Sequence, residues 1–132
     1  MAEDGTFIVD GWMAHSPGGR LHLTGQRCAE CATYLWPPAA CCKACGGQSL
    51  ADIELGPEGA LWAVTVDWIG SFLGRPNLVG QVCFPEGTFV QGFVVGNVDV
   101  PPKIGSPMEL IPFEVPNRGG PLITYAFRAM EA

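Results

Sequence analysis

Basic residues are scarce in this chain. Of 132 residues only seven are Lys or Arg, against thirteen Asp or Glu, for a formal net charge of −6. The seven are also scattered, at Arg20, Arg27, Lys43, Arg75, Lys103, Arg118 and Arg128. Proteins that bind nucleic acid cluster Lys and Arg to displace counterions from phosphates, so this balance argues against that class. Histidine is nearly missing too: His15 and His22 are the only two, both in the N-terminal arm region, where a surface role is expected. There is no Gly-x-Ser-x-Gly elbow, no phosphate-binding glycine loop and no dinucleotide fingerprint. The expected set of catalytic residues is therefore none. Met1 to Asp10 opens with Glu3 and Asp4 and has no basic stretch leading into a long apolar run. Neither a signal peptide nor a membrane span is expected, and the reading is cytoplasmic. No segment carries a convincing helical period.

What the chain has instead is apolar surface and cysteine. Hydrophobic residues make up 48% and charged residues only 15%, and the mean hydropathy is +0.23. A small free-standing protein ordinarily carries more charge to stay soluble. Either a partner covers part of this apolar surface or the core is large for the chain's size.

Of the six cysteines, Cys28, Cys31, Cys42 and Cys45 form two Cys-x-x-Cys pairs ten residues apart. Each pair can wrap a tight turn around one metal ion, and two turns supply four thiolates in a tetrahedral array. Zinc suits this donor set because it binds soft sulfur and has no d-electron preference. Iron in a rubredoxin-like electron carrier is the rival, and a disulfide framework a third reading, disfavoured in a reducing compartment. Four protein ligands leave no open coordination position, so the metal is expected to be structural. Pro37 and Pro38 stiffen the excursion between the pairs, and Gly46-Gly47 relieve strain where amides turn toward sulfur. Cys41 abuts a ligand, but Cys42 keeps the spacing to Cys45. Cys83 lies in an apolar run and reads as a small core residue.

The organisation follows. Residues 1–19 form an N-terminal arm, 20–50 the ribbon and 51–132 a barrel. Past residue 50 come short β-rich segments bounded by Gly or Pro: Ala60–Ile69, Leu78–Phe84, Thr88–Val95, Pro107–Glu114 and Leu122–Met130. Pro85-Glu86-Gly87 reads as a turn between two of them. Five such strands predict a mainly β chain, a rubredoxin-like zinc ribbon followed by a five-stranded OB-fold barrel, with a β-sandwich as the alternative. Trp62, inside the first barrel strand, is expected in the core. Trp12 and Trp36 lie where a small module has little interior to hide them, and Trp68 to Pro76 is an apolar loop. Trp12, Trp36, Trp68, Phe72 and Arg75 are therefore the candidates for a partner interface. Asp67 and Glu86 flank barrel strands and read most simply as solvated acids.

Gly25-Gln26-Arg27-Cys28-Ala29-Glu30-Cys31, Trp36-Pro37-Pro38 and Cys42-Lys43-Ala44-Cys45-Gly46 carry a resemblance. So do Gly59 to Val66, Leu78 to Val82, Glu86-Gly87-Thr88, Ile104-Gly105 and Ile123 to Arg128. Over residues 20–130 the chain resembles the zinc ribbon plus OB-fold family catalogued as a domain of unknown function (type 35). Two departures stand out: Ala32 where that family usually has a knuckle glycine, and Ala39 where an arginine commonly follows the prolines. The resemblance implies a non-catalytic companion of a thiolase-superfamily enzyme acting on coenzyme A thioesters, such as a thiolase, an acyltransferase or a steroid side-chain aldolase. It implies a heteromer, expected as a heterotetramer, in which the partner holds most of the substrate. The competing class is a free OB-fold binding module for acyl-CoA or single-stranded nucleic acid. Aromatic stacking would serve the latter, but a pI near 4.7 opposes it.

Overall fold

The computed structural model describes residues 6–7, 12–15, 18–69, 76–115 and 118–130. Among these there are ten strands and no helix. In chain order they are β1 (Thr6–Phe7), β2 (Met13–His15), β3 (Leu21–Cys28), β4 (Tyr34–Leu35), β5 (Leu50–Leu55), β6 (Glu58–Asp67), β7 (Asn77–Cys83), β8 (Phe89–Val95), β9 (Pro107–Val115) and β10 (Leu122–Ala129).

The last five close into a barrel in the order β6-β7-β8-β10-β9, with β9 returning to β6. β8 and β10 run parallel, and the other pairings around the ring are antiparallel. This is the five-stranded OB arrangement expected from the segment spacing, and each strand lies within two residues of its predicted limits. Alternation explains the closure. Leu78, Gly80 and Val82 of β7 point inward, as do Val90 and Val94 of β8 and Met108 and Leu110 of β9, while their neighbours point out. Two-residue β1 adds a parallel pairing to the start of β10, Thr6 to Leu122 and Phe7 to Ile123.

A second, smaller sheet is built on β3, which pairs with β2, β4 and β5. Residues 51–55, expected within the barrel region 51–132, instead belong to β5 of this small sheet. Its residues pair with β3 from Leu23–Leu55 to Cys28–Leu50, so the chain leaves the ribbon sheet only at Gly56-Pro57. The pairing buries both Leu23 and its partner Leu55 completely.

The two sheets share one core. Met13, Leu21, Leu23 and Leu55 from the small sheet pack into the same cluster as Leu61, Val82, Phe84 and Phe127 of the barrel. Trp12 and Trp36, expected on a partner-facing surface, are half-buried against this cluster. Their rings meet edge-on at 5.1 Å, and Trp36 meets Tyr125 of β10 at 6.1 Å. The interior they fill exists only because ribbon and barrel dock. His22, expected at the surface, is 7% exposed and lies 3.8 Å from Glu54 on β5. Trp62, expected in the core, is 60% exposed.

An ionic network ties the strand pairs on one side of this junction. Arg20, just before β3, reaches Glu58 and Glu109, each at 3.2 Å, and Glu109 also receives Arg128 at 2.7 Å. The hydrogen bond and charge of Arg128, with the charge of Arg20, hold the Glu109 carboxyl below the usual carboxylate range. A carboxylate depressed in the folded state stabilises it above the unfolded pKa, and that contribution disappears as pH falls through the folded value. The urea midpoint of the wild type should thus drop more than that of Glu109→Gln as pH falls from 5 to 3. At pH 7 the substitution should cost about 1 kcal/mol, since each arm of the network is solvent-accessible.

Candidate metal centre

Cys28 ends β3, and the chain turns at once. Cys28 N–H donates to Thr33 O at 2.9 Å, and Ala32 N–H donates back to Cys28 O at 2.9 Å. The second pair repeats the pattern: Cys42 N–H to Gly47 O at 2.8 Å and Gly46 N–H to Cys42 O at 2.8 Å. The two knuckles are therefore equivalent, and the residue after each second cysteine occupies the same left-handed position. Gly46 has φ 78°, which glycine adopts freely, whereas Ala32 has φ 65° and is the only non-glycine residue with positive φ among those described. The departure from a knuckle glycine seen in the sequence thus falls where backbone sterics matter. Ala32→Gly should stabilise the holo-protein by up to about 1 kcal/mol, the left-handed penalty less the added chain entropy. A thermal melt checks this.

The knuckles bring together Sγ atoms from residues up to seventeen positions apart. All four lie within 4.8 Å of one another, with Cys28–Cys45 and Cys31–Cys42 at 3.6 Å. Sulfurs bonded to zinc at about 2.3 Å sit about 3.8 Å apart at the corners of a tetrahedron. A disulfide would need about 2.05 Å, and all six cysteines are free thiols. Cys28 and Cys42 are buried, while Cys31 and Cys45 form the outer edge of the site. Amides aim at the sulfurs: Ala44 N–H at Cys42 Sγ, 3.3 Å, and Gly47 N–H at Cys45 Sγ, 3.4 Å.

The electrostatics call for a cation. Cys31 Sγ is hydrogen-bonded to the Thr33 hydroxyl at 3.0 Å, and the side-chain and backbone hydrogen bonds of Thr33 lower the Cys31 pKa to about 6. At Cys45 the Gly47 amide acts in the same direction, but crowding by Cys31 and Cys28 outweighs it and pushes the thiol up to about 12. Four thiols this close cannot all ionise against one another. A divalent cation removes that conflict and deprotonates all four. The donor set, spacing and amide support fit zinc, held by Cys28, Cys31, Cys42 and Cys45 as expected.

The other singled-out residues are dispersed. Asp67 accepts from the Ile69 amide at 3.2 Å in a local turn. Glu86 sits in the β7–β8 turn, and Cys83 is half-buried on the outward side of β7, not in the core. Trp68 is 67% exposed beyond the end of β6. Phe72 and Arg75 lie outside the described residues. One prominent pair has no counterpart among the residues singled out from sequence: Trp62 and Phe89 meet edge-on at 5.3 Å on the outer barrel face. The signal available was alternation, which places Phe89 outward opposite buried Val90; the bulge that turns Trp62 out is not legible in a strand pattern.

Comparison with known proteins agrees with this geometry. Residues 16–51 match the family model described as ChsH2, rubredoxin-like zinc ribbon domain. No curated protein matches the chain. Among solved structures, a chain of an Ltp2–ChsH2(DUF35) aldolase is similar at 29% identity and TM-score 0.67, over 82% of this chain and 84% of that one. A DUF35-family protein of unknown function from Sulfolobus solfataricus shares the fold at 18% identity and TM-score 0.57, over 83% of this chain and 76% of that one. Among the described residues no helix is long and apolar enough to cross a membrane. The chain thus carries a ChsH2-type rubredoxin-like zinc ribbon at residues 16–51 with a closed five-stranded barrel behind it, and over about four-fifths of its length it is similar to solved structures of the DUF35 type.

Proposed function

We propose that this chain is a non-catalytic accessory subunit of a thiolase-like enzyme acting on acyl-CoA thioesters, which it stabilises and whose acyl-CoA channel it helps to shape. The observation that carries this reading is the similarity, over four-fifths of both chains, to a component of the Ltp2–ChsH2(DUF35) aldolase. The closed donor set supports it: four thiolates fill the coordination sphere of zinc and leave no position for substrate or activated water. The metal is a staple, and the bond-making machinery belongs to the larger subunit. The same comparison favours a retro-aldolase complex as the specific form of this chemistry, with thiolysis or acyl transfer as the alternative outcome.

The test is co-expression with a thiolase-like protein from the same organism, followed by size exclusion, zinc analysis and assays with acyl-CoA thioesters. A stable heteromer with one zinc per small subunit, active where neither component alone is active, is the expected result. A monodisperse chain that ignores the larger protein but binds an acyl-CoA or a single-stranded oligonucleotide by itself would replace this reading with that of a free binding module.

A further inference from the structure

The four metal-ligand sulfurs differ in what can reach them. Cys28 and Cys42 are buried, whereas Cys31 and Cys45, the second cysteine of each knuckle, are exposed. Each exposed sulfur has a buried one of the opposite knuckle beside it: Cys31 lies 3.6 Å from Cys42, and Cys45 lies 3.6 Å from Cys28. The site is therefore two equivalent pairs, each of one accessible and one sheltered sulfur.

Binding of zinc keeps all four sulfurs as thiolates at neutral pH, and the thiolate is the form that attacks an oxidant. Oxidation-sensitive cysteines combine thiolate character, solvent access and a second cysteine within reach. Cys31 and Cys45 have all three. The two cysteines outside the cluster do not. Cys41 is exposed but has no metal to deprotonate it. Cys83 is half-buried, and its thiol donates to the Phe84 carbonyl at 3.6 Å. Charge narrows the choice of oxidant. Glu30 and Lys43, the charged residues inside the two Cys-x-x-Cys turns, offset each other. Four thiolates on a divalent ion leave two negative charges, on a chain whose net charge is already −6. Anionic oxidants such as glutathione disulfide are repelled, and a small neutral hydroperoxide is not.

We infer that the metal centre is a peroxide-operated release switch, in which a hydroperoxide oxidises exposed Cys31 or Cys45 and the buried cysteine across the knuckles closes a disulfide onto it. The Cys31 thiolate attacks one peroxide oxygen, the O–O bond breaks, and a sulfenic acid forms as hydroxide leaves. The Cys42 thiolate then attacks that sulfur, the S–O bond breaks, and a second hydroxide leaves. The two sulfurs together lose two electrons, and the peroxide, gaining them and two protons from solvent, ends as two waters. The same steps run from Cys45 to Cys28. Closing a 3.6 Å contact to the about 2.05 Å of a disulfide withdraws both sulfurs from the metal. Two thiolates remain where four held the ion, so the staple is lost, and a dithiol reductant restores it. This inference needs only the four-cysteine site and is independent of the proposed function.

The experiment treats the zinc-loaded full chain with hydrogen peroxide at neutral pH. A chromogenic chelator follows the released zinc, against a sample without peroxide, and mass spectrometry after alkylation maps the thiols and disulfides. Zinc release should be complete once about one peroxide per chain is consumed, with a Cys31–Cys42 or a Cys28–Cys45 linkage in each chain. Dithiothreitol with added zinc should restore the metal. Cys41→Ser should release zinc within about twofold of the wild-type rate, and glutathione disulfide should act at least about tenfold more slowly than the peroxide. Zinc retained while peroxide oxidises Cys41, Cys83 or methionine overturns the inference. Linkages confined within a knuckle, Cys28–Cys31 or Cys42–Cys45, overturn the pairing. Release that fails in Cys41→Ser overturns the assignment of the attacking thiolates, and faster release by glutathione disulfide overturns the class of oxidant.

Discussion

A Cys42→Ala chain should lose nearly all bound zinc and with it the ordered structure of residues 28–50. The apolar cluster inside the ribbon consists of Cys28, Leu35 and Cys42, with Leu50 against it, so two of its three buried members are metal ligands. Without the metal there is little left to offset the conformational entropy of two knuckles and the excursion between them. Structural zinc sites contribute about 10–16 kcal/mol at neutral pH, comparable with or larger than the about 5–15 kcal/mol that keeps a whole domain folded. Chelation should act in the same way as the substitution. Amide exchange would show loss of protection across both knuckles and β4, while β7, β8 and β10, packed around Val82, Val90 and Phe127, exchange more slowly. Retention of native exchange throughout the ribbon after the zinc is removed would refute a stapling role.

Trp36→Ala should destabilise the protein by about 2–4 kcal/mol and loosen the ribbon from the barrel. Trp36 heads a line of ring contacts, edge-on as far as Phe127 and tilted at Phe84, that crosses the junction. From Trp36 the line passes to Tyr125 at 6.1 Å, then to Phe127 at 5.8 Å, and ends on Phe84 at 6.1 Å. Truncation removes a large ring whose neighbours, Trp12 and Tyr125, come from opposite sides of the junction and cannot both collapse into the gap. Tyr125 is fixed in turn by its hydroxyl, which donates to the Gln91 carbonyl, and by Gly92, where a Cβ would come within 2.6 Å of its ring. The hydroxyl bond bridges β10 to a part of β8 that the two strands' own pairing, Phe93 to Val95, does not reach. Denaturant unfolding followed by separate probes on ribbon and barrel is the check. The wild type should unfold in one transition, and Trp36→Ala should separate the two and unfold the ribbon first. An unchanged midpoint and coincident transitions would mean that the ring merely covers the surface.

The metal site was legible because it is local. A Cys-x-x-Cys spacing dictates a knuckle whatever surrounds it, and two knuckles ten residues apart leave few ways to arrange four sulfurs other than around one ion. The departure at Ala32 was visible only against the resembled family's knuckle glycine, and its left-handed backbone only in the structure. Barrel strands were legible for a related reason: a side-chain period of two is a property of the strand itself, and the turns at Pro85-Glu86-Gly87 and similar places mark its ends.

What the linear pattern could not supply was the far side of each contact. β5 reads like the barrel strands after it, and only its pairing with β3 assigns it to the ribbon sheet. Trp12 and Trp36 look stranded in a module too small to bury them, yet docking the two sheets creates their interior. Trp62 looks like core from its place in an apolar strand, yet a one-residue bulge reverses its direction and sets it beside Phe89. By itself, then, the sequence determined the metal ligands, the five barrel strands and the shortage of charge, because each depends on residues close together in the chain. Tertiary structure alone decided which aromatics are buried between ribbon and barrel and which face outward, because burial depends on surfaces brought together from distant parts of the chain.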